Sequence, residues 1–200
     1  MNKEKLIANL EKNKFQVVCC ATAQEAVTYM TGALSGKTIG VGGSETIRQM
    51  GLCEALSARN RVYASWLASE VTPQMMRSHA SAAEVYLSSA NAMAETGELV
   101  NIDGTGNRIA ATAYGHEEVY FIVGANKVTA DLESALWRAR NIAAPKNAKR
   151  LGRKTPCAEK GDRCYDCSSP ERICNGFLIL ARPMNGTKVT VVLVDEELGL

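Results

Sequence analysis

Apolar residues recur along the chain in two periods, one typical of amphipathic helices and one typical of buried strands. The helical period predicts a helix around Leu6, Ile7 and Leu10, and others over residues 22–30, 45–56, 73–83, 108–114 and 131–142. Strands are predicted over residues 15–20, 37–41, 62–64, 85–89, 98–102 and 118–123. Because strands and helices alternate, we expect a single α/β domain over residues 1–200, with a mostly parallel sheet flanked by helices on both faces.

The pattern changes after Ala144, where regular periodicity is lost over residues 145–176. This stretch contains three prolines, a basic run at residues 146–154 and four cysteines, so we predict an irregular segment within the domain. Two apolar runs at residues 177–181 and 188–194 then flank Asn185 and Gly186, a pair typical of hairpin turns. The chain is therefore expected to end with a β-hairpin that joins the sheet.

The charges nearly balance, with 23 Lys and Arg against 21 Asp and Glu and a formal net charge of +2. So small a charge does not favour nucleic acid as a partner. The N-terminal residues mix charged and apolar types as a surface helix does, unlike a signal peptide. No run approaches the roughly 18 apolar residues of a membrane span. With seven cysteines and no secretion signal, we expect a soluble cytoplasmic protein without a membrane partner.

A glycine-rich segment, GVGGSET from Gly40 to Thr46, lies where a predicted strand passes into a helix. Glycines there let backbone N–H groups approach an anion, so Gly42, Gly43 and Ser44 are candidates for binding a phosphate or a carboxylate. The spacing matches neither the dinucleotide-binding pattern nor a Walker A loop. A tight turn in which Ser44 caps the helix explains the same residues equally well.

A second glycine-containing segment, IDGTGNR, also follows a predicted strand and precedes a helix. The two segments should meet at the carboxyl edge of the sheet, where open α/β folds bind their ligands. The candidate ligand-binding residues here are Asp103, Gly104, Gly106, Asn107 and Arg108. Arg108 suits a carboxylate or a phosphate, and Asp103 suits hydroxyl groups. The alternative is that Asp103 and Asn107 stabilise turns while Arg108 pairs with Asp103.

Acid/base chemistry has one principal candidate. Glu95 follows a run of small residues in a predicted loop, where a carboxylate could act as a general base or nucleophile. Turn chemistry at Thr96 and Gly97 explains that loop equally well. His79 and His116 are the only histidines, and an isolated histidine more often packs or faces solvent than catalyses. Glu95 is therefore the predicted catalytic residue.

Four of the seven cysteines fall within 18 residues, namely Cys157, Cys164, Cys167 and Cys174. Four thiolates suit Zn²⁺ or an iron–sulfur cluster, and irregular chain can bend to meet a metal. Their separations match neither a zinc ribbon nor a ferredoxin, so the metal stays open. A disulfide, or free thiols lining the cleft, are the alternatives. Cys19, Cys20 and Cys53 are expected to be small buried hydrophobes.

Several long motifs occur in order along nearly the whole chain: GVGGSET, SSANAMAETGELVNIDGTGNRIAA, VYFIVGANKV, DLESALWRARNIAAPKNAKRLGRKTPC and CYDCSSPERICN. Together they resemble the LUD (lactate-utilisation) family, in a short form that keeps the C-terminal cysteines. The resemblance implies the NagB/RpiA/CoA transferase-like fold, shared by ribose-5-phosphate isomerase and glucosamine-6-phosphate deaminase. It also implies an anion-binding loop at Gly42, Gly43 and Ser44, and it puts Glu95 where related folds carry catalytic carboxylates.

Two functions are expected on these grounds. The first is a metabolic protein that binds a small carboxylate or phosphate in the glycine-rich cleft, as part of a system that oxidises lactate to pyruvate. The second is a non-catalytic accessory protein that binds a metal or an iron–sulfur cluster through four cysteines and docks an iron–sulfur redox protein. A ligand sensor is disfavoured because the chain carries no recognisable DNA-reading module and its charges nearly balance. Proteins of this architecture often form symmetric dimers, so a homodimer is the expected assembly.

Overall fold

Helices and strands alternate through most of the chain, which the computed structural model describes over residues 2–67 and 71–200. The helices are α1 (Lys3–Lys12), α2 (Ala23–Ala33), α3 (Glu45–Gln49), α4 (Leu52–Ser57), α5 (Pro73–Ser81), α6 (Asn107–Ala113), α7 (Leu132–Arg138), α8 (Ala144–Arg150) and α9 (Pro156–Lys160). A 3₁₀ turn covers Ala125–Lys127, and a π-helical turn, Ala139–Ala143, joins α7 to α8. None of the helices in the described part of the chain is long and apolar enough to span a bilayer.

In the part of the chain that the structure describes, ten strands form two sheets. The strands are β1 (Gln16–Cys20), β2 (Thr38–Val41), β3 (Arg61–Tyr63), β4 (Val85–Ser88), β5 (Ala92–Ala94), β6 (Leu99–Asp103), β7 (Glu118–Gly124), β8 (Val128–Thr129), β9 (Gly176–Leu180) and β10 (Lys188–Val194). The larger sheet has the order β1-β10-β7-β4-β2-β3, and all of its strand pairs are parallel. The smaller sheet has the order β8-β5-β6-β9 and is mixed.

The core lies on both faces of the parallel sheet. In the central strand β7, Tyr120 and Ile122 contact one apolar cluster, while Val119 and Phe121 contact the other, as the twofold period of a strand requires. Helices α2, α3 and α4 cover the first face. Helices α1, α5 and α6 cover the second face together with the smaller sheet. The predicted parallel sheet with helices on both faces is therefore confirmed.

Side-chain caps explain where two of the predicted helices begin. Thr22 accepts a hydrogen bond from the N–H of Glu25 at 3.2 Å, and Asp131 accepts one from the N–H of Ser134 at 2.8 Å. Each bond satisfies a backbone donor that the first helical turn leaves unpaired. These two caps therefore fix the first residues of α2 and α7 at the positions that the sequence predicts.

The predicted C-terminal hairpin is wrong. Strand β9 pairs with β6 in the smaller sheet, whereas β10 lies between β1 and β7 in the larger one. Apart from Lys188, every residue of β10 is buried, so both of its faces need cover. A central position in a parallel sheet supplies that cover, and a hairpin at the sheet edge would expose one face.

Two helix predictions also need correction. Residues 45–56 form two helices because the chain turns at Gly51, whose φ is +61°. The helix predicted over residues 131–142 continues through the π-helical turn into α8. Pro145 fits there because it lies in the first turn of α8, where a missing N–H costs little. Residues 145–176, predicted to be irregular, thus contain α9 and most of α8.

Candidate functional site

A cleft of about 290 Å³ lies beside the carboxyl ends of β2 and β6. Its walls come from α5, α6 and α8 and from the segments that follow β2 and β6. Five of the residues predicted to bind a ligand line it, namely Gly43, Asp103, Gly104, Asn107 and Arg108. The structure therefore brings the two glycine-containing segments together at one concave site of a size suited to a small metabolite.

Arg108 is held in place by its own loop. Its Nε lies 3.4 Å from Oδ2 of Asp103, and its Nη2 donates to the carbonyl oxygen of Ile102 at 2.6 Å. The carboxylate of Asp103 also accepts from the N–H groups of Arg108 at 3.0 Å and Thr105 at 3.3 Å. The pairing of Arg108 with Asp103, which the sequence leaves open, is thus present, and it fixes the guanidinium at the wall of the cleft.

Gly42 makes room for the side chains of the cleft. A Cβ at this position would lie 2.4 Å from Cγ of Arg108 and 2.8 Å from the hydroxyl of Tyr86, so a larger residue would displace both. Gly43 lines the cleft and faces open space. The hydroxyl of Ser44 caps α3, which is the turn chemistry considered as its alternative role. Of these three residues, Gly43 lies in the cleft lining, and Gly42 and Ser44 shape the loop.

Tyr86 and Asn107 add polar groups to the cleft. Tyr86 is buried, and burial raises its pKa to about 12, so its hydroxyl keeps its proton at neutral pH. Asn107 lines the same cleft and acts on that pKa in the opposite direction. Gly106 precedes α6 with a φ of +88° and thereby lets the chain turn Asn107 and Arg108 into the cleft.

Three further arginines line the cleft although the sequence reasoning did not select them: Arg77, Arg150 and Arg153. Arg77 lies on α5, next to the buried Met76. Arg150 shares one face of α8 with Asn147, three residues earlier, and Arg153 follows in the next turn. The signal was present in the basic run at residues 146–154, whose polar residues recur at helical spacing.

The cleft carries an excess of positive charge. Among the described residues, its one carboxylate is Asp103, which Arg108 already neutralises. Arg150 approaches a carboxylate oxygen of Glu45 no closer than 3.9 Å, which makes a weak ion pair. Neither Arg77 nor Arg153 pairs with a carboxylate within the described ranges. An anionic ligand would supply the missing negative charge.

Glu95 lies apart from this cleft, whose described lining residues do not include it. It follows β5, at the opposite end of that strand from Asn91, which does line the cleft. Its Oε1 accepts a hydrogen bond from the N–H of Asn2 at 2.6 Å, and its Oε2 lies 3.9 Å from Nζ of Lys5. A carboxylate at this place stabilises the N-terminus of α1.

The four C-terminal cysteines lie on α9 and on the irregular segment after it, as free and half-buried thiols. Within the described residues, no group of three or more His, Cys, Asp or Glu side chains could hold a metal ion. The thiols as placed therefore do not fit the predicted Zn²⁺ or iron–sulfur centre. Burial raises the pKa of Cys174, Arg172 opposes this shift, and Cys164 and Cys167 add to it, so the three thiols lie within electrostatic range of one another.

The cysteine-containing segment also forms one wall of the cleft. Ile173 lines the cleft beside Gly104. Asn175 donates from its backbone N–H to the carbonyl oxygen of Asp103, and from Nδ2 to that of Gly104, both at 3.1 Å. A change in the conformation of this segment would therefore reach the ligand-binding loop directly.

The remaining cysteines follow strand and helix periodicity. Cys20 and Cys53 are buried, as expected, and burial raises the pKa of Cys53 to about 12. Cys19 is exposed, which corrects the prediction of a buried hydrophobe. The reason is that successive side chains on β1 point to opposite faces, so Cys19 and Cys20 cannot share one environment.

Both histidine rings contact neighbouring residues of the fold. The ring of His79 stacks on Tyr63 with 5.2 Å between centroids. His116 is buried with Nδ1 2.8 Å from the carbonyl oxygen of Ala83, and burial lowers its pKa, so the ring is neutral at neutral pH. Neither ring is among the described residues that line the cleft.

Comparison with known proteins agrees with this fold. Among solved structures, the chain is similar to a DUF162 family protein from Deinococcus radiodurans, with 11% sequence identity and a TM-score of 0.54 over 96% of this chain and 94% of that one. At this identity the similarity supports a shared fold and no particular activity. No curated protein matches the sequence. A family model for the LUD domain matches residues 3–194, and the chain therefore belongs to the LUD domain family.

Proposed function

We propose that this LUD domain binds a small metabolite carrying a carboxylate or a phosphate in the cleft. The observation that carries the proposal is the set of four arginines around about 290 Å³, Arg77, Arg108, Arg150 and Arg153. Guanidinium groups bind carboxylates and phosphates through two parallel hydrogen bonds, which gives both charge and geometry. The association of LUD proteins with lactate utilisation favours a carboxylate.

The rest of the lining supports a small, partly apolar ligand. Met76, Leu151 and Ile173 provide apolar surface, and Asn107 and Asn147 provide groups that can orient a polar substituent. Sites for small molecules commonly combine apolar walls with a few placed polar groups. The acid/base role of Glu95 stays a prediction of its own, because the binding proposal does not require that carboxylate. Membership of a lactate-oxidising system and assembly as a homodimer also stay predictions.

Calorimetric titration with lactate, pyruvate and inorganic phosphate tests this proposal. At least one of these anions is expected to bind saturably, while neutral lactamide does not bind. Arg77→Ala should weaken the binding by about tenfold, which corresponds to one lost hydrogen bond to a charged group. Arg61→Ala is the matched control, because Arg61 is exposed on β3 and outside the cleft lining. If the three anions bind no better than lactamide, the proposal is wrong.

A second candidate is an accessory protein that binds a metal or an iron–sulfur cluster and docks an iron–sulfur redox protein. One observation favours it, namely that Cys164, Cys167 and Cys174 are neighbours on a segment without helix or strand. The described thiols would have to move closer to act as ligands together, and Cys157 would have to join them from α9. An irregular segment can make such a change when a metal binds.

Metal and acid-labile sulfide analysis of protein purified without oxygen tests the second candidate. If it is correct, the protein contains stoichiometric iron with sulfide, or zinc, and the double variant Cys164→Ser and Cys167→Ser loses it. The matched control is Cys19→Ser, which removes an exposed thiol far from this segment in sequence. Protein that holds no metal as purified or after reconstitution would leave anion binding as the sole supported function.

A further inference from the structure

A second group of polar side chains lies buried around Lys127. Its Nζ donates to Oγ1 of Thr46 at 2.7 Å and to Oγ of Ser89 at 2.9 Å, and the residue is only 4% exposed. Thr46, Ser89 and Lys127 follow β2, β4 and β7, which are adjacent strands of the parallel sheet. The amine therefore lies at the carboxyl edge of the sheet, where α/β proteins place their reactive groups.

The charged groups that act on Lys127 are both cationic. Burial, with smaller contributions from the charges of Arg138 and Arg108, lowers the pKa of Lys127 to about 7. No carboxylate of the described residues pairs with this amine. A desolvated lysine next to other cations is a nucleophile at neutral pH, because much of it lacks a proton.

Arg138 and Thr46 hold a strap over this amine, formed by residues 198–200. Nη1 and Nη2 of Arg138 both donate to the same backbone oxygen of Leu200, at 3.3 Å. Oγ1 of Thr46 lies 3.4 Å from the carbonyl oxygen of Leu198. A Cβ added to Gly199 would lie 3.0 Å from Nζ of Lys127. The strap thus places carbonyl oxygens where the oxygens of a small acid could bind.

The strap is held by hydrogen bonds to side chains and by Leu198, which is buried in the apolar cluster on the first face of the sheet. It follows β10 without helix or strand of its own. Its N–H groups at Leu198 and Gly199 donate to side-chain oxygens of Asn126 and Gln49, at 3.1 and 2.8 Å. The strap can therefore open without breaking a helix or a strand, and opening exposes Leu198.

We propose that Lys127 and Arg138 form a second site, for a small carboxylate with an adjacent carbonyl group, and that the amine condenses with this carbonyl when the strap moves aside. The nitrogen of Lys127 forms a bond to the carbonyl carbon, and the carbonyl oxygen leaves as water with the two amine protons. The product is an imine, formed without an oxidant or a reductant. Arg138 binds the carboxylate. This site does not depend on anion binding in the arginine-lined cleft.

Reductive trapping tests the proposal directly. The protein is incubated with glyoxylate and sodium cyanoborohydride, which converts an imine into a stable amine, and labelled lysines are located by peptide mass spectrometry. Lys127 is expected to be labelled at least about tenfold faster than the exposed Lys5, because its neutral fraction is much larger. Acetaldehyde, which has a carbonyl but no carboxylate, should show a smaller preference for Lys127, because the neutral fraction of the amine still favours it but Arg138 has no carboxylate to bind. Labelling of Lys127 no faster than of Lys5 overturns the proposal, whatever the titrations of the cleft show.

Two variants separate the roles of the amine and the strap. Lys127→Met should remove the fast label, and Lys5→Met should leave it unchanged. Gly199→Val should increase the labelling rate of Lys127, because its side chain would meet Oγ1 of Thr46 at 2.4 Å and push the strap away. An unchanged labelling rate of Lys127 in Gly199→Val would overturn the role of the strap. The labelling of Gly199→Val can be measured even if Lys127→Met fails to fold.

Discussion

Replacing Arg150 and Arg153 together with alanine is expected to weaken anion binding in the cleft by about 100-fold or more, because each hydrogen bond to a charged group contributes about 1.5–3 kcal/mol. The free energy of unfolding should change little. Arg150 contacts Asn147 on its own helix and lies 3.9 Å from Glu45, and such exposed contacts add little stability. Calorimetric dissociation constants and urea unfolding curves, measured on the same preparations, check both expectations.

The matched control for this pair is Arg59→Ala with Arg182→Ala. Both residues are exposed and outside the cleft lining, and their replacement removes the same two positive charges from the protein. If the control pair lowers the affinity as much as the cleft pair, the general charge of the protein attracts the anion and the cleft does not bind it specifically. An unchanged affinity in the cleft pair would contradict the proposed function.

Local chemistry accounts for the parts of the fold that the sequence predicts correctly. The cap residues Thr22 and Asp131 act within one helical turn, and the parallel strands show as short apolar runs between helices. Strand pairing is different, because β9 and its partner β6 are far apart in sequence. The turn at Asn185 and Gly186 indicates a change of direction and says nothing about which sheet receives the next strand.

The two strands of the wrongly predicted hairpin differ in their burial in the structure, although both are apolar at almost every position in sequence. β10 is apolar at almost every position, which is typical of a strand covered on both faces. β9 has exposed side chains at Phe177 and Ile179, as an edge strand with one open face does. Burial pattern therefore separates a central strand from an edge strand better than the turn between them does.

The residues of the candidate site also fall into two groups, those that the local sequence indicates and those that only the fold brings to the site. Glycine-containing segments can be recognised from the local sequence, so Gly43, Asp103 and Arg108 could be selected before the structure was known. Arg77 could not, because a lone arginine on a surface helix has no local feature that separates it from other arginines, whereas Arg150 and Arg153 lie in the basic run at residues 146–154. Only the packing of α5 and α8 beside the two glycine segments brings these charges to one cleft.

Lys127 is the site residue that sequence reasoning had least chance of finding. The segment GANKV resembles an ordinary polar turn after a strand, where a lysine normally faces water. Burial of the amine results from Thr46, Ser89 and the strap, which are distant in sequence. A buried, uncompensated amine destabilises the fold, so its presence at the carboxyl edge argues for a function.

The stability of the protein is expected to rise with pH above neutrality because of Lys127. Its pKa is about 7 in the folded chain against an ordinary value of 10.5, with burial as the main cause. Between these two values the unfolded chain binds more protons than the folded chain, so raising the pH favours folding. The slope is about 1.4 kcal/mol per pH unit for one such group, and below pH 7 the destabilisation is complete and constant.

Urea unfolding of the wild type and of Lys127→Met, from pH 6 to pH 9.5, isolates this contribution. Other groups titrate equally in both proteins, so the difference between the two free energies of unfolding reports Lys127 alone. Lys127→Met should be the more stable protein at pH 7, by about 3 kcal/mol or more, and its advantage should shrink steadily as the pH rises. If the free energies of unfolding of the two proteins change in parallel with pH, the amine of Lys127 keeps its proton in the folded chain. A charged Lys127 could not begin imine formation. A converging pair would show that the fold keeps a neutral, nucleophilic amine at the sheet edge despite its cost.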